Sequence, residues 1–206
     1  MTVLDWREKQ KIGGPDRDCG RLVKGRLVLR DPSQVTGITL HQTACRFGKR
    51  SSQDTRYERA LGVHAHATVF DDGVGVVAYP LRAYVYHGNG ANATRIGLEC
   101  EGLFPGNTYS PDGPLCTDAL IAGVQEMLEW LVRKAREEGM PITDIDAHRQ
   151  WSDTRRGDPG REIWTRTVVE YAIPKLGLRC NQAFADAKKG GKPIPKSWDP
   201  DGIGEY

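Results

Sequence analysis

TDALIAGVQEMLEWLVRKAREEGMPITDIDAH, residues 117–148, contains a complete helix-to-strand transition. Leu120, Ile121, Val124, Met127, Leu128, Leu131, Val132 and Ala135 recur at spacings of three, four and seven. That periodicity puts them on one face of an α-helix over 117–138. Gly139 and Pro141 end it. From Ile142 the period changes to two. Ile145 and Ala147 point one way, Asp146 and His148 the other. An amphipathic helix running directly into a short alternating strand is the building unit of an α/β domain.

The next residues, DAHRQWSDTRRGDPG (146–160), carry chemistry as well as structure. His148 precedes Asp158 by ten positions. Asp158 stands where a helix N-cap belongs. Pro159 follows at the first helical position, where a missing N–H costs nothing, and a helix is expected from there to about residue 173. Imidazole nitrogen and carboxylate oxygen are a ligand pair that zinc accepts.

Upstream, RIGLECE (95–101) alternates. Ile96, Leu98 and Cys100 share one face; Gly97, Glu99 and Glu101 share the other. Residues 35–41 form another alternating strand, with Ile38 and Leu40 on one face and Thr39 and His41 on the other. Residues 66–71 and 74–79 read as a hairpin about the Asp72-Gly73 turn, and 53–63 as a helix. Residues 1–34 read as an irregular arm with one short strand in RLVLR, and the Gly/Pro/Lys-rich tail as disordered or an extended wrap. The expected architecture is one α/β domain with a central mixed sheet flanked by helices. Its parts are an arm (1–34), a catalytic domain (35–176) and a C-terminal helix or extended tail (177–206).

Composition narrows the class. Hydrophobic content of 38% and charged content of 27% suit a single soluble domain. A net charge of +2 is too small to argue for nucleic acid. No run approaches the ~18 apolar residues of a membrane span. The first residues lack a signal-peptide h-region, so synthesis in the cytoplasm is expected. Five scattered cysteines without CxxC spacing point to free thiols.

Taken singly, His41, Glu99, His148 and Asp158 are ordinary: two strand-end histidines, a strand carboxylate and a helix start. Together they differ. If the three strands are neighbours, His41, Glu99 and His148 converge on one cleft. Two imidazoles, a carboxylate ligand and a spare carboxylate are the set a catalytic zinc needs, with Glu99 as base.

Four segments in order carry a resemblance. ITLHQTA (38–44), HAHATVFDDGVGVVAY (64–79), YHGNGANATRIGLECEG (86–102) and AHRQWSDTRRGDPG (147–160) resemble the type 2 zinc amidases, the N-acetylmuramoyl-L-alanine amidases. Those share a fold with phage lysozyme-type amidases and peptidoglycan recognition proteins. The resemblance implies a peptidoglycan recognition protein-like fold, with one zinc per chain bound by His41, His148 and Asp158. It implies Glu99 as general acid/base and hydrolysis of the amide between N-acetylmuramic acid and L-alanine. Arg156 replaces the family's usual Lys, so it is assigned oxyanion stabilisation, with neighbouring Arg155 as the alternative. Ala65 replaces a Tyr that some relatives carry. His87, Thr43 and Trp151 are assigned to muropeptide contact, with loop ordering the alternative for His87 and core packing for Trp151; His64 and His66 are assigned structural roles, and Glu101 a solvated or substrate-side position. The second oxygen of Asp158 is expected to accept N–H bonds from its own helix start.

The implied setting is a monomeric phage or prophage endolysin, made without a signal peptide and acting on the wall after holin-type release. A cytoplasmic recycling amidase for anhydro-muropeptides, a stem-peptide zinc peptidase and a non-catalytic peptidoglycan-binding module remain as alternatives.

Overall fold

The computed structural model describes residues 2–9, 19–47, 56–104, 116–180 and 190–204. The periodic segment forms α1, Asp118–Glu137. Thr117 caps it, its hydroxyl oxygen accepting from Leu120 N at 3.0 Å. All eight apolar residues singled out by spacing are buried on its inner face. Gly123 is buried among them for another reason. A Cβ there would lie 2.7 Å from Gly73 O, so the helix sits directly on the hairpin turn at 72–73.

Among the described residues the main sheet has six strands. They are β1 (Val3–Asp5), β4 (Gly37–Gln42), β5 (Ala67–Val69), β6 (Gly75–Val77), β7 (Arg95–Cys100) and β8 (Asp144–Ala147). Their spatial order is β1-β6-β5-β7-β4-β8. Only the β5/β6 hairpin is antiparallel; the other pairs run parallel, which makes the sheet mixed. β2 (Leu22–Val23) and β3 (Arg26–Leu27) form a separate small hairpin. One face of the sheet contributes Ile38, Leu40, Ile96, Leu98 and Ile145 to the core beneath α1. Truncating one of these to Ala costs ~2–5 kcal/mol. The opposite face carries the polar set.

After the site loop the chain runs helically as α2 (Arg161–Trp164), a π-helical stretch (Thr165–Ala172) and α3 (Ile173–Leu176). Gly177, at φ 66°, ends it.

Three expectations change. First, the helix expected from Pro159 begins at Arg161, with Gly160 at the cap position and φ 108°. No side chain caps it; the Asp158 oxygens instead face Gln42 N and His148 Nδ1. Second, the arm supplies an additional strand: β1 lies parallel to β6, with Val3 beside Gly75. A three-residue strand carries too little alternation to be read. Third, the helix expected over 53–63 is a short turn, helical at 56–57 and 3₁₀ over Glu58–Gly62, while 53–55 fall outside the described residues.

Residues 190–204 form an extended wrap. Lys192 N donates to Arg149 O at 2.8 Å, and Arg149 Nε to Pro193 O at 2.9 Å. Trp198 is buried beneath the Arg149 guanidinium and receives Thr165 Oγ1 on its carbonyl. All five cysteines are free thiols. Among the described residues no helix is long and apolar enough to cross a membrane.

Candidate metal centre and active site

β4 lies between β7 and β8, all parallel, so their C-terminal ends open on the same edge. Register places His41 beside Glu99 and Leu40 beside Ala147. His148, one residue past β8, therefore emerges next to His41. Gln150 Oε1 accepts from Ala147 N at 2.9 Å and closes the turn that carries His148. Asp158 arrives from the following loop, where Arg149 N donates to its carbonyl at 3.2 Å.

The three ligand-type atoms meet. His41 Nδ1 is 2.9 Å from His148 Nδ1, which is 3.0 Å from Asp158 Oδ2. All three atoms lie within 4.8 Å of one another. Tetrahedral zinc with bonds of ~2.1 Å spaces its ligand atoms by roughly 3.3 Å. The two contacts through His148 Nδ1 fall within a few tenths of an ångström of that spacing, so this donor set suits a cation. Its walls are close: a Cβ on Gly88 would lie 3.3–3.4 Å from the His148 and His41 rings.

Asp158 is held by a residue the sequence reading did not single out. Gln42 N donates to Asp158 Oδ1 at 2.9 Å, and Gln42 Nε2 to Gly157 O at 2.9 Å. Gln42 Oε1 accepts from Phe104 N at 2.7 Å. The N–H partner expected from the helix start comes instead from the strand bearing His41. The available signal was parity: Gln42 is a polar residue on the alternation of Ile38 and Leu40.

Glu99 is mostly buried, and its Oε2 is buried without a hydrogen-bond partner. Burial raises its pKa well above the ordinary value, and the Asp158 carboxylate adds to this; Arg155 acts in the opposite sense. Arg155 also lowers the pKa of His41, after burial and the neighbouring His148 and His87. Both arginines are exposed. Arg156 donates from Nε to Asp153 O at 3.0 Å.

Two of the three residues assigned to substrate contact, His87 and Trp151, are buried. His87, 5% exposed, is buried behind His41. Its Nδ1 is 3.1 Å from His41 Nε2 and its Nε2 is 3.2 Å from Arg95 O. Burial first, then the Arg30 charge, lowers its pKa to about 3. Its ring occupies the space above Gly97, where a Cβ would lie 2.6 Å from His87 Cγ. Trp151 is likewise buried. Its Nε1 donates to Asp146 Oδ1 at 2.6 Å, and Arg95 stacks over its ring. Asp146 also accepts from Arg95 Nε at 2.6 Å and from the Thr39 hydroxyl. This buried network knits β4, β7 and β8 behind the cluster. Thr43 is partly exposed and joins the exits of β4 and β7: Gly102 N donates to its Oγ1 at 3.0 Å, and Oγ1 donates to Cys45 O.

Glu101, expected to be solvated, is 1% exposed. Arg56 neutralises it at 2.6 Å, and Phe47 N and Asp71 N donate to it. Alternation placed it on the polar face, but two backbone donors and a guanidinium cover it there. His66 is buried and accepts from Gly97 N at 2.9 Å, while His64 is exposed.

Comparisons with known proteins bear on the fold and the family. Three solved structures have similar folds. The N-acetylmuramoyl-L-alanine amidase LysC from Clostridium intestinale superposes with a TM-score of 0.51 at 18% identity, covering 87% of this chain and 99% of its own. Drosophila PGRP-LB gives 0.56 at 14%, covering 85% and 95%. Bumblebee PGRP-SA gives 0.52 at 14%, covering 78% and 90%. At these identities the likeness speaks for the fold alone. No curated protein sequence matches the chain. The family model for N-acetylmuramoyl-L-alanine amidase matches residues 31–161, which span β4 through the His148–Asp158 loop, and the chain belongs to that family.

Proposed function

We propose that this chain is a zinc-dependent N-acetylmuramoyl-L-alanine amidase acting on peptidoglycan. The observation that carries the reading is the juxtaposition of two features. Three ligand-type atoms converge within 4.8 Å, and the orphaned carboxylate oxygen of Glu99 lies buried on the neighbouring strand.

His41, His148 and Asp158 would hold one zinc ion. Bound there, zinc supplies Lewis-acid activation of water and of the scissile carbonyl. Glu99 takes the proton of the attacking water and returns it to the leaving amine of L-alanine. An unpartnered oxygen suits that task, since no hydrogen bond must be broken before it accepts. Arg155, whose charge opposes the rise in the Glu99 pKa, would support developing negative charge, with Arg156 as the alternative. Asp146, Arg95 and Trp151 keep the three strand ends in register while this happens.

A muropeptide in intact wall is the proposed substrate, for a monomer that works as a lytic enzyme of the endolysin kind. The test is clearing of purified peptidoglycan, with and without chelator, with mass spectrometry of the fragments. Free L-alanine amino termini and zinc-reversible loss of clearing are expected. Cleavage inside the stem peptide would point to a peptidase. Activity confined to soluble anhydro-muropeptides would point to recycling. Binding without cleavage would leave a recognition module.

A further inference from the structure

We infer that His87 is a positioning residue that holds His41 in the tautomer whose Nδ1 lone pair faces His148 and Asp158. The inference rests on the metal-site reading above and adds a residue to it.

Arg95 O, a carbonyl, can only accept, so the His87 Nε2 at 3.2 Å carries the hydrogen. From the other end, the Asp158 carboxylate can only accept, so His148 Nδ1 at 3.0 Å carries a hydrogen, and His41 Nδ1, 2.9 Å from that nitrogen, has none to point at it. A neutral His87 ring with hydrogen on Nε2 offers Nδ1 only as an acceptor. His41 Nε2, 3.1 Å away, must therefore donate. His41 Nδ1 is then left unprotonated, and it is the atom that lies 2.9 Å from His148 Nδ1. A backbone carbonyl of β7 thus sets the ligand atom on β4 through one intervening ring.

The space for that ring is built in. His87 stacks on Gly97, where any Cβ would overlap it, and Gly97 N in turn donates to His66 Nδ1 at 2.9 Å. The ring cannot tilt towards the sheet, so its Nδ1 stays on His41. Partners that orient a ligating His in this way are generally worth ~10–100-fold in metal affinity.

Two variants of the full chain separate hydrogen bonding from packing. His87→Phe keeps a ring over Gly97 but removes the acceptor. His87→Asn places an amide oxygen near the position of Nδ1. Zinc affinity, read by competition with a chromophoric chelator, should fall ~10–100-fold in the Phe variant and recover most of that loss in the Asn variant. In metal-free wild type, nitrogen-15 NMR of the imidazoles should show His41 protonated on Nε2. Wild-type affinity in a folded Phe variant, or a His41 Nδ1–H in the spectrum, overturns the inference. If the Phe variant does not fold, the NMR spectrum decides. Wild type that binds no zinc overturns the metal-site reading itself, whereas the NMR result stands independently of it.

Discussion

Gln42 follows His41 directly in β4 and grips Asp158 from the other side of the cluster, its main-chain N–H 2.9 Å from Oδ1. One ligand's chain neighbour is thus the anchor of another ligand. Gln42→Ala keeps that N–H but strips the side-chain bonds to Gly157 O and Phe104 N. Two buried backbone groups lose their partner, at ~1–3 kcal/mol each. The expected result is a lower unfolding midpoint in urea together with zinc affinity weakened by about tenfold. Unchanged affinity would show that the main-chain bond alone holds Asp158.

Glu99→Gln removes the proton acceptor without touching a ligand. Clearing activity should fall by ~10²–10⁴-fold while zinc stoichiometry stays at one. Metal-free stability carries a second signature. The folded pKa of Glu99 lies above its unfolded value, so the native state binds the proton more tightly. Wild type therefore loses stability as pH rises through the interval from the ordinary carboxylate value to the raised one. The Gln variant has no such loss. Its melting temperature should exceed that of metal-free wild type at neutral pH, with the gap closing as pH falls towards the ordinary carboxylate range. A gap that is constant with pH would contradict the buried, raised carboxyl.

Arg155 and Arg156 are separated by a pair of alanine variants. Arg155 acts electrostatically on Glu99 and His41, whereas Arg156 donates to a backbone carbonyl of its own turn. Arg155→Ala should lower kcat by ~10²–10³-fold if it supports the oxyanion, with little change in KM. Arg156→Ala should stay within a few-fold of wild type. The reverse ranking would return the role to Arg156.

Arg56 and Glu101 form an ion pair with the carboxylate 1% exposed. Arg56→Met leaves Glu101 buried with backbone donors but no countercharge. Losing one partner of a buried pair costs ~3–5 kcal/mol. Chemical denaturation should show that loss, and the double variant Arg56→Met/Glu101→Gln should recover part of it.

Much of this was legible in the chain itself. Eight apolar positions at helical spacing located α1, and strand parity put His41, Glu99 and His148 on a common side. Parity tells which face a side chain takes, however, and not what lies over that face. His87, in a Tyr-His-Gly-Asn-Gly loop, was read as a substrate contact, with ordering of the loop as the alternative. Its actual partners are a ring nitrogen and a main-chain carbonyl, and backbone carbonyls are the same at every position. Asp158 was read as a helix cap from Asp-Pro-Gly. The structure uses its oxygens across the fold, on Gln42 and His148, which a local motif does not encode.

β4 has paired strands on both flanks and contributes His41; the Gln42 that ends it tethers the Asp158 loop. β8, its neighbour, delivers His148. All three donor groups are therefore referred to a single strand in the interior of the sheet. A fluctuation of the sheet carries them together as one rigid cage, and opening that cage requires the Asp158 loop to part from Gln42. Exchange of a bound ion should accordingly be timed by that loop, while the two imidazoles keep their spacing.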